Sequence, residues 1–128
     1  MVGDHPTEIG PVVVRVDGSL DSYRALRAAA EVAMSRSCGI VVLEHESSSQ
    51  FPNLEERERS TAVAILRNSN VTVLATLVED VDHLTKRCRE LRASMLVLSH
   101  GDFRDVEAHP GMLGRLAGEG FDLLLVAD

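Results

Sequence analysis

The chain has 128 residues, of which 45% are hydrophobic, and carries a net charge of −7 at pH 7. This length suffices for one buried core, so we expect a single domain over residues 1–128. The negative net charge excludes a nucleic-acid partner, because binding phosphate groups requires a basic surface. No apolar run approaches the roughly 20 residues that span a bilayer, and the first residues lack the basic and apolar regions of a signal peptide. We therefore expect a cytoplasmic protein without a membrane partner.

The first predicted strand follows a loose leader over residues 1–10, in which glycine and proline recur. Val12–Val16 is a β-branched run, typical of a central strand that is buried on both faces. Asp17-Gly18-Ser19 ends this strand, and Ser19 is a good N-cap for a helix. That helix places apolar residues at spacings of three and four, and Gly39 is predicted to end it. Its predicted inward-facing residues are Tyr23, Leu26, Ala30 and Ala33.

The remaining predicted elements alternate between strands and helices. Further strands are predicted at 40–43, 71–78, Met95–Leu98 and 123–126. Further helices are predicted from near Leu54, from Val81 to Leu91 and over 112–117. The third helix has the clearest apolar stripe, which consists of Val81, Leu84, Cys88 and Leu91. Two cysteines, Cys38 and Cys88, are too few for a disulfide framework, so we expect ordinary packing thiols.

Five strands that alternate with four helices predict an α/β fold: a single open five-stranded parallel sheet with right-handed crossovers and helices on both faces. The common strand orders for such a chain are 3-2-1-4-5 and 2-1-3-4-5. In the first order, the first and fourth strands are neighbours. Asp17 would then face Ser99-His100-Gly101 across a crevice where strands end and helices begin, which is where such sheets bind ligands.

Residues 12–33, VVVRVDGSLDSYRALRAAAEVA, resemble the opening of a universal stress protein: a buried strand that ends in Asp-Gly-Ser, then an alanine-rich helix. The second strand, which ends in Leu43-Glu44-His45, is similar to the corresponding strand of that family. The resemblance covers nearly the whole chain. It implies the strand order 3-2-1-4-5 and a Rossmann-like fold of the adenine nucleotide alpha hydrolase kind.

Nucleotide-binding members of this family carry a glycine, two residues, a second glycine, nine residues, and then a glycine followed by serine or threonine. The first glycines form a tight turn, and the last pair grips phosphate. Gly101 and Gly111 keep the nine-residue spacing here, whereas Leu98 replaces the first glycine and Met112 the hydroxyl residue. The resemblance therefore implies a nucleotide site, vestigial or altered, at Asp17, Ser99, Gly101 and Gly111.

Each departure from the motif weakens phosphate binding. Leucine at position 98 adds a side chain where glycine lets the backbone approach a ligand, and Met112 offers no hydroxyl to a phosphate oxygen. The intervening loop adds Asp102, Asp105 and Glu107 against one arginine, and like charges repel a triphosphate. We therefore expect a degenerate member without ATP binding. Asp17 is either the family's nucleoside contact or a structural anchor of its turn, and turn chemistry favours the structural role.

The same loop suggests a metal site as an alternative, because it holds five potential ligands within ten residues. These are His100, Asp102, Asp105, Glu107 and His109. Their spacing matches no established metal motif, so we expect an ordinary polar loop and no bound metal. The sequence contains no nucleophile motif, phosphate-binding loop or cysteine with an evident base, so we expect no catalytic residues and no enzyme.

Three functional hypotheses follow. The first is a non-catalytic stress-response protein without a cofactor, which acts through protein contacts with an unidentified partner and as a homodimer through the C-terminal strand 121–128, an apolar edge strand. The second is a stress-response switch that binds ATP, ADP or AMP, with magnesium, through Asp17 and the amides around Gly101 and Gly111. The third is a metal-dependent site on the acidic loop. The acidity of that loop favours the first and third hypotheses over the second.

Overall fold

A computed structural model of the chain describes residues 9–44, 54–75, 81–101, 104, 118 and 120–126. The five strands are Val12–Val16 (β1), Ile40–Glu44 (β2), Val71–Ala75 (β3), Met95–Leu98 (β4) and Asp122–Leu125 (β5). They form one sheet in the order β3-β2-β1-β4-β5, and all neighbouring strands run parallel. The described helices are Leu20–Arg36 (α1), Glu56–Leu66 (α2) and Val81–Glu90 (α3). The predicted fold class and the order 3-2-1-4-5 are confirmed.

The central strand β1 divides the core into two clusters, because alternate side chains of a strand point to opposite faces. Val12, Val14 and Val16 pack in one cluster with α1 and with Ala62 of α2. Val13 packs in the other cluster with Leu84 of α3. All four valines are completely buried, as expected for a strand covered on both faces. The helices therefore cover both faces of the sheet, with α1 and α2 on one face and α3 on the other.

Helix α1 begins as predicted and ends earlier than predicted. Ser19 is the N-cap, and its Oγ accepts a hydrogen bond from the backbone N–H of Ser22 at 3.1 Å. At the other end, Ser37 adopts the left-handed conformation with φ of 55°. The N–H of Cys38 then donates to the carbonyl oxygen of Ala33 at 3.0 Å, which completes a Schellman motif. The prediction that Gly39 ends the helix was therefore wrong, since Ser37 takes the conformation that glycine usually provides.

The buried face of α1 is wider than the predicted stripe. Tyr23, Leu26 and Ala33 are buried as predicted, but Ala30 is only half-buried. Ala25 and Ala29 are completely buried instead. The buried face of α1 therefore includes more residues than one narrow apolar stripe.

The other elements match the predictions with small shifts. Helix α2 begins at Glu56, two residues after the buried Leu54. Leu84 and Cys88 of α3 are buried as predicted, and both cysteines are free thiols in the core. Strand β5 begins one residue earlier than expected. The end of the predicted strand 71–78, beyond Ala75, and the predicted helix 112–117 lie outside the described residues.

The start of the chain is held more firmly than a loose leader would be. The hydroxyl of Ser94 donates to the carbonyl oxygen of Gly10 at 2.7 Å, and the Ser94 N–H donates to that of Pro11 at 2.9 Å. A Cβ atom on Gly10 would lie 1.9 Å from the carbonyl oxygen of Arg92. The predicted loose segment is therefore wrong at Gly10, which is glycine because two backbone segments meet there. Residues 1–8 lie outside the described part of the chain.

Among the described residues, no helix combines the length and the apolar character needed to cross a membrane.

Candidate functional site

The candidate site lies where β1 and β4 end side by side. The register of this parallel pair aligns Val13 with Leu96 and Val14 with Val97. Asp17 directly follows β1, and Ser99 directly follows β4. Both residues therefore lie at the carboxyl edge of the sheet on adjacent strands, as the predicted strand order requires. The order of the strands reverses between β1 and β4. From β1, the chain adds β2 and β3 toward one edge of the sheet, and it then adds β4 and β5 on the other side of β1.

The turn after β1 is built from hydrogen bonds between Asp17 and Ser19. Asp17 Oδ1 accepts from the Ser19 backbone N–H at 3.0 Å and from the Ser19 hydroxyl at 2.6 Å. Between them, the buried Gly18 has φ of +84°, a conformation that residues with a Cβ rarely adopt. These contacts fix the entry into α1 without any ligand.

Ser22 completes this turn from inside the helix. It is 2% exposed, and its hydroxyl donates to the Ser19 carbonyl oxygen at 3.0 Å. The Ser22 hydroxyl oxygen in turn accepts from the Asp17 backbone N–H at 3.3 Å. Ser22 was not among the predicted residues of the site, although it lies three residues after the N-cap, a position where polar side chains often join a cap. This internal network supports the structural role of Asp17.

The hydrogen bonds also determine the protonation of Asp17. Partial burial of the carboxyl group raises its pKa, but the hydrogen bonds from Ser19 and Ser22 and the positive charge of Arg15 outweigh burial and leave the pKa below its usual 3.8. The residue as a whole remains exposed at the sheet edge. Asp17 therefore presents a carboxylate at the edge at neutral pH.

The end of β4 differs from the tight turn that the family resemblance implies. His100 and Gly101 have helical backbone conformation, and the φ of Gly101 is not in the left-handed region. A Cβ atom on Gly101 would meet only Ser99 Oγ, at 3.8 Å, which is an ordinary contact. The expected tight turn is therefore wrong at Gly101, since nothing in the conformation requires glycine there. Ser99 itself is 5% exposed.

Leu98 occupies the position of the family's first glycine. It is completely buried in the cluster on the α3 side of the sheet, together with Leu43 of β2 and Leu84 of α3. Its side chain therefore lies in the core rather than in the crevice, contrary to the expectation that it adds bulk beside a ligand. The hydrophobic core therefore extends to the last residue of β4.

Arg15 is a charged residue of the site that the sequence analysis overlooked. It lies two residues before Asp17 in β1 and is half-buried, whereas the four other residues of the strand are completely buried. The only sequence signal was a single charge inside the run VVVRV. The positive charge of Arg15 contributes to the lowered pKa of Asp17.

The rest of the predicted site lies outside the described residues. This holds for Gly111, for Met112 and for the loop between positions 101 and 111, except for the exposed Arg104. Of the five potential metal ligands, the structure describes only His100. Within the described part of the chain, no group of three or more histidine, cysteine or acidic side chains could hold a metal ion.

The strand order, and the candidate site at the point between β1 and β4 where that order reverses, define a Rossmann-like α/β protein. Solved structures of universal stress proteins have the same fold. One in complex with cAMP is 21% identical, with a TM-score of 0.65 over 94% of this chain and 98% of that chain. One from Archaeoglobus fulgidus in complex with dAMP is 21% identical, with a TM-score of 0.54 over 92% and 98%. A universal stress protein family member from Burkholderia pseudomallei is 18% identical, with a TM-score of 0.56 over 93% and 96%.

No protein-family model matches the chain, and neither does any curated protein. Structural likeness at these low identities establishes the fold. The chain thus has the universal stress protein fold, and the resemblance drawn from its sequence is confirmed at that level.

Proposed function

We propose that this chain is a degenerate member of the universal stress protein family, a non-catalytic cytoplasmic protein that acts in the stress response through a homodimer and protein contacts. The observation that carries this proposal is the hydrogen-bond network of the turn after β1. Asp17 Oδ1 accepts from the N–H and from the hydroxyl of Ser19, so Asp17 shapes this turn without a ligand. At the end of β4, the side chain of Leu98 belongs to the core and the backbone of Gly101 is helical.

The proposed dimer uses the outer edge of the sheet at β5. An edge strand presents unpaired N–H and C=O groups, which a second copy of the same strand can satisfy. Residues 123–125 of this strand are all leucine, and Leu125 is 42% exposed. Two copies of β5 that run antiparallel would bring these leucines together across a two-fold axis. The pairing would involve the predicted segment 121–128.

The test compares two charge substitutions on the two outer strands. Leu125→Lys is expected to convert the dimer to a monomer, which is measured as molar mass by light scattering after size exclusion. Val73→Lys is the matched control, because Val73 on β3 is 39% exposed at the opposite edge. We expect this control to remain dimeric. A wild-type chain that is monomeric at tens of micromolar, or equal effects of the two substitutions, would contradict the proposed dimer.

A second candidate function is the binding of an adenine nucleotide as a stress-response switch. It is favoured by the complexes of the two structural relatives with cAMP and dAMP. The position of Asp17 and Ser99 at the carboxyl ends of adjacent strands supports them as candidate contacts of such a ligand, with Gly101 and Gly111 as further candidates. ATP would require magnesium, whereas a monophosphate would not.

Thermal unfolding with and without ATP, ADP, AMP, cAMP and magnesium separates the two candidates. A ligand at a hundred times its dissociation constant stabilises the native state by about 2.7 kcal/mol, which raises the melting temperature by several degrees in a domain of this size. The degenerate crevice predicts no shift with ATP. A clear shift with ATP and magnesium would overturn that proposal and establish the nucleotide switch.

A further inference from the structure

Helix α2 carries a groove on a side of the helix that the core does not use. The core side consists of Ala62, Ile65 and Leu66, which pack in the cluster that contains α1 and β1. The groove has a volume of about 460 Å³ and runs along another side of the same helix. Spacings of three and four residues place its lining residues in one continuous stripe. The described residues that line it are Glu56, Arg59, Ser60, Val63, Ala64 and Arg67.

The groove lies on the solvent side of α2, with small side chains in its middle. Five of its six described lining residues are exposed, and Val63 is half-buried. Ser60, Val63 and Ala64 form the middle, and their short side chains leave room for a neighbouring helix. Helix α2 itself packs against α1 and against β3, at the end of the strand order opposite β5. A partner in this groove would therefore leave β5 accessible.

The two ends of the groove carry opposite charges. Glu56 lies in the first turn of α2, and Arg67 is the C-cap of the helix. They are eleven positions apart in the sequence, which corresponds to about 16 Å along a helix axis. Arg59 lies between them, and its Nη2 donates to the carbonyl oxygen of Leu54 at 3.0 Å, which holds the guanidinium group toward the start of the helix. The groove thus has an acidic end, a middle of small residues and a basic end.

We propose that two copies of this chain associate through their α2 grooves, with the two helices antiparallel about a two-fold axis. This orientation places Glu56 of each copy opposite Arg67 of the other, so a pair of opposite charges forms at each end. Ser60 of each copy then lies opposite Val63 of the other, close to the axis. A parallel pair would instead bring like charges together at both ends. The groove is therefore complementary to itself, as a two-fold contact requires.

This contact is independent of the dimer through β5 and should be weaker. One side of an eleven-residue helix is smaller than the roughly 800 Å² that each partner buries in a standard stable interface. We therefore expect the α2 contact to form well above tens of micromolar. In the Leu125→Lys variant, which is designed to block the β5 contact, α2 is the remaining route to association.

Sedimentation equilibrium of full-length Leu125→Lys, from tens of micromolar to millimolar, tests the proposal. We expect this variant to form dimers as its concentration rises. Adding Arg67→Glu places two carboxylates together at each end and should weaken the association about tenfold or more, because two attractive pairs become repulsive. Adding Glu56→Arg as well exchanges the two charges and should restore the association.

The matched control is Lys86→Glu in the same background. Lys86 is an exposed residue of α3, on the other face of the sheet, so this substitution changes the net charge equally and should leave the association unchanged. Ala64→Arg tests the groove without altering either end of the helix. It places an arginine opposite Arg59 of the other copy, so it should also weaken the association.

Three results would overturn the α2 contact. The first is a Leu125→Lys chain that stays monomeric up to millimolar concentration. The second is an equal loss of association with Lys86→Glu and with Arg67→Glu. The third is a failure of the exchanged pair, Glu56→Arg with Arg67→Glu, to recover what Arg67→Glu loses. A wild-type chain that is monomeric at tens of micromolar, but dimeric at millimolar with this pattern of variants, would support the α2 contact and contradict only the dimer through β5.

Discussion

Asp17 and Ser19 are joined by two hydrogen bonds to one carboxylate oxygen, 3.0 Å from the Ser19 nitrogen and 2.6 Å from its hydroxyl. The same hydroxyl accepts from the Ser22 N–H, so one serine both anchors the aspartate and caps α1. The most specific motif of the chain, Asp-Gly-Ser, is thus fully employed in shaping the turn. Loss of nucleotide binding would leave these residues under the same structural constraint.

The first prediction concerns acid stability. The pKa of Asp17 is lowered on folding, so its carboxylate stabilises the native state above the usual value of 3.8, and this contribution is lost as the pH falls through the folded pKa. Asp17→Asn should therefore lower the free energy of unfolding at neutral pH, by about 1 kcal/mol or less because the residue is exposed. Urea unfolding across the acid range measures the gap from wild type. A gap that stays constant as the pH falls would contradict this origin.

The second prediction compares two glycines. Gly10→Ala places a methyl group 1.9 Å from the Arg92 carbonyl oxygen, so the backbone must shift, at a cost of about 1–3 kcal/mol. Gly101→Ala meets only Ser99 Oγ at 3.8 Å in a helical conformation and should leave stability unchanged or slightly raised. Melting temperatures of the two variants provide the comparison. Equal melting temperatures would refute the close approach at Gly10.

The third prediction concerns the buried Leu98 at the end of β4. Leu98→Ala removes buried methyl groups and leaves a cavity, so we expect a loss of about 2–5 kcal/mol in the free energy of unfolding. Leu125→Ala makes the same change at a residue that is 42% exposed, and its cost measured on the monomer should stay within about 0.5 kcal/mol. Urea unfolding measures both. Similar losses would show that Leu98 is not a core residue.

The fourth prediction concerns thiol reactivity. Burial raises the pKa of the Cys88 thiol to about 12, and the thiolate is the reactive form. Cys88 should therefore resist alkylation in the native protein at mildly alkaline pH and react fully once urea unfolds the chain. Mass spectrometry of the peptide that contains Cys88 follows the modification. Alkylation of native protein at the rate of a free thiol would contradict the burial.

The elements that the sequence predicts correctly are those determined by local chemistry. Val12–Val16 is a strand because β-branched residues covered on both faces favour nothing else. Ser19 caps α1 through a hydrogen bond that spans three residues. These two inferences need no knowledge of distant contacts. The placement of Asp17 beside Ser99 depends on the strand order 3-2-1-4-5, which the pattern left open and the family resemblance implied.

The features that were not predicted from the sequence depend on contacts between distant residues, or on which of several neighbouring residues ends a helix. Gly10 is constrained by Arg92 and Ser94, more than eighty residues away, and no local pattern reveals that approach. The end of α1 falls at Ser37, whose left-handed conformation comes with backbone hydrogen bonds to Ala33 and Met34 and not with the glycine that the pattern favours. The face of the sheet on which Arg15 lies depends on the register that aligns it with Leu43, and only the assembled sheet defines this register.

The two outer strands of the described sheet expose hydrophobic side chains on opposite faces. Val73 of β3 is aligned with Val42 and lies on the α1 side, whereas Leu125 of β5 is aligned with Leu98 and lies on the α3 side. Contact between β5 of one copy and β3 of the next would keep every strand parallel and could repeat indefinitely into a filament. Pairing of two β5 strands about a two-fold axis consumes both copies of that edge and stops at two. The assembly would thus stay finite only while β3 does not pair with β5 of another copy. Substitutions that favour this pairing would turn a closed dimer into a filament.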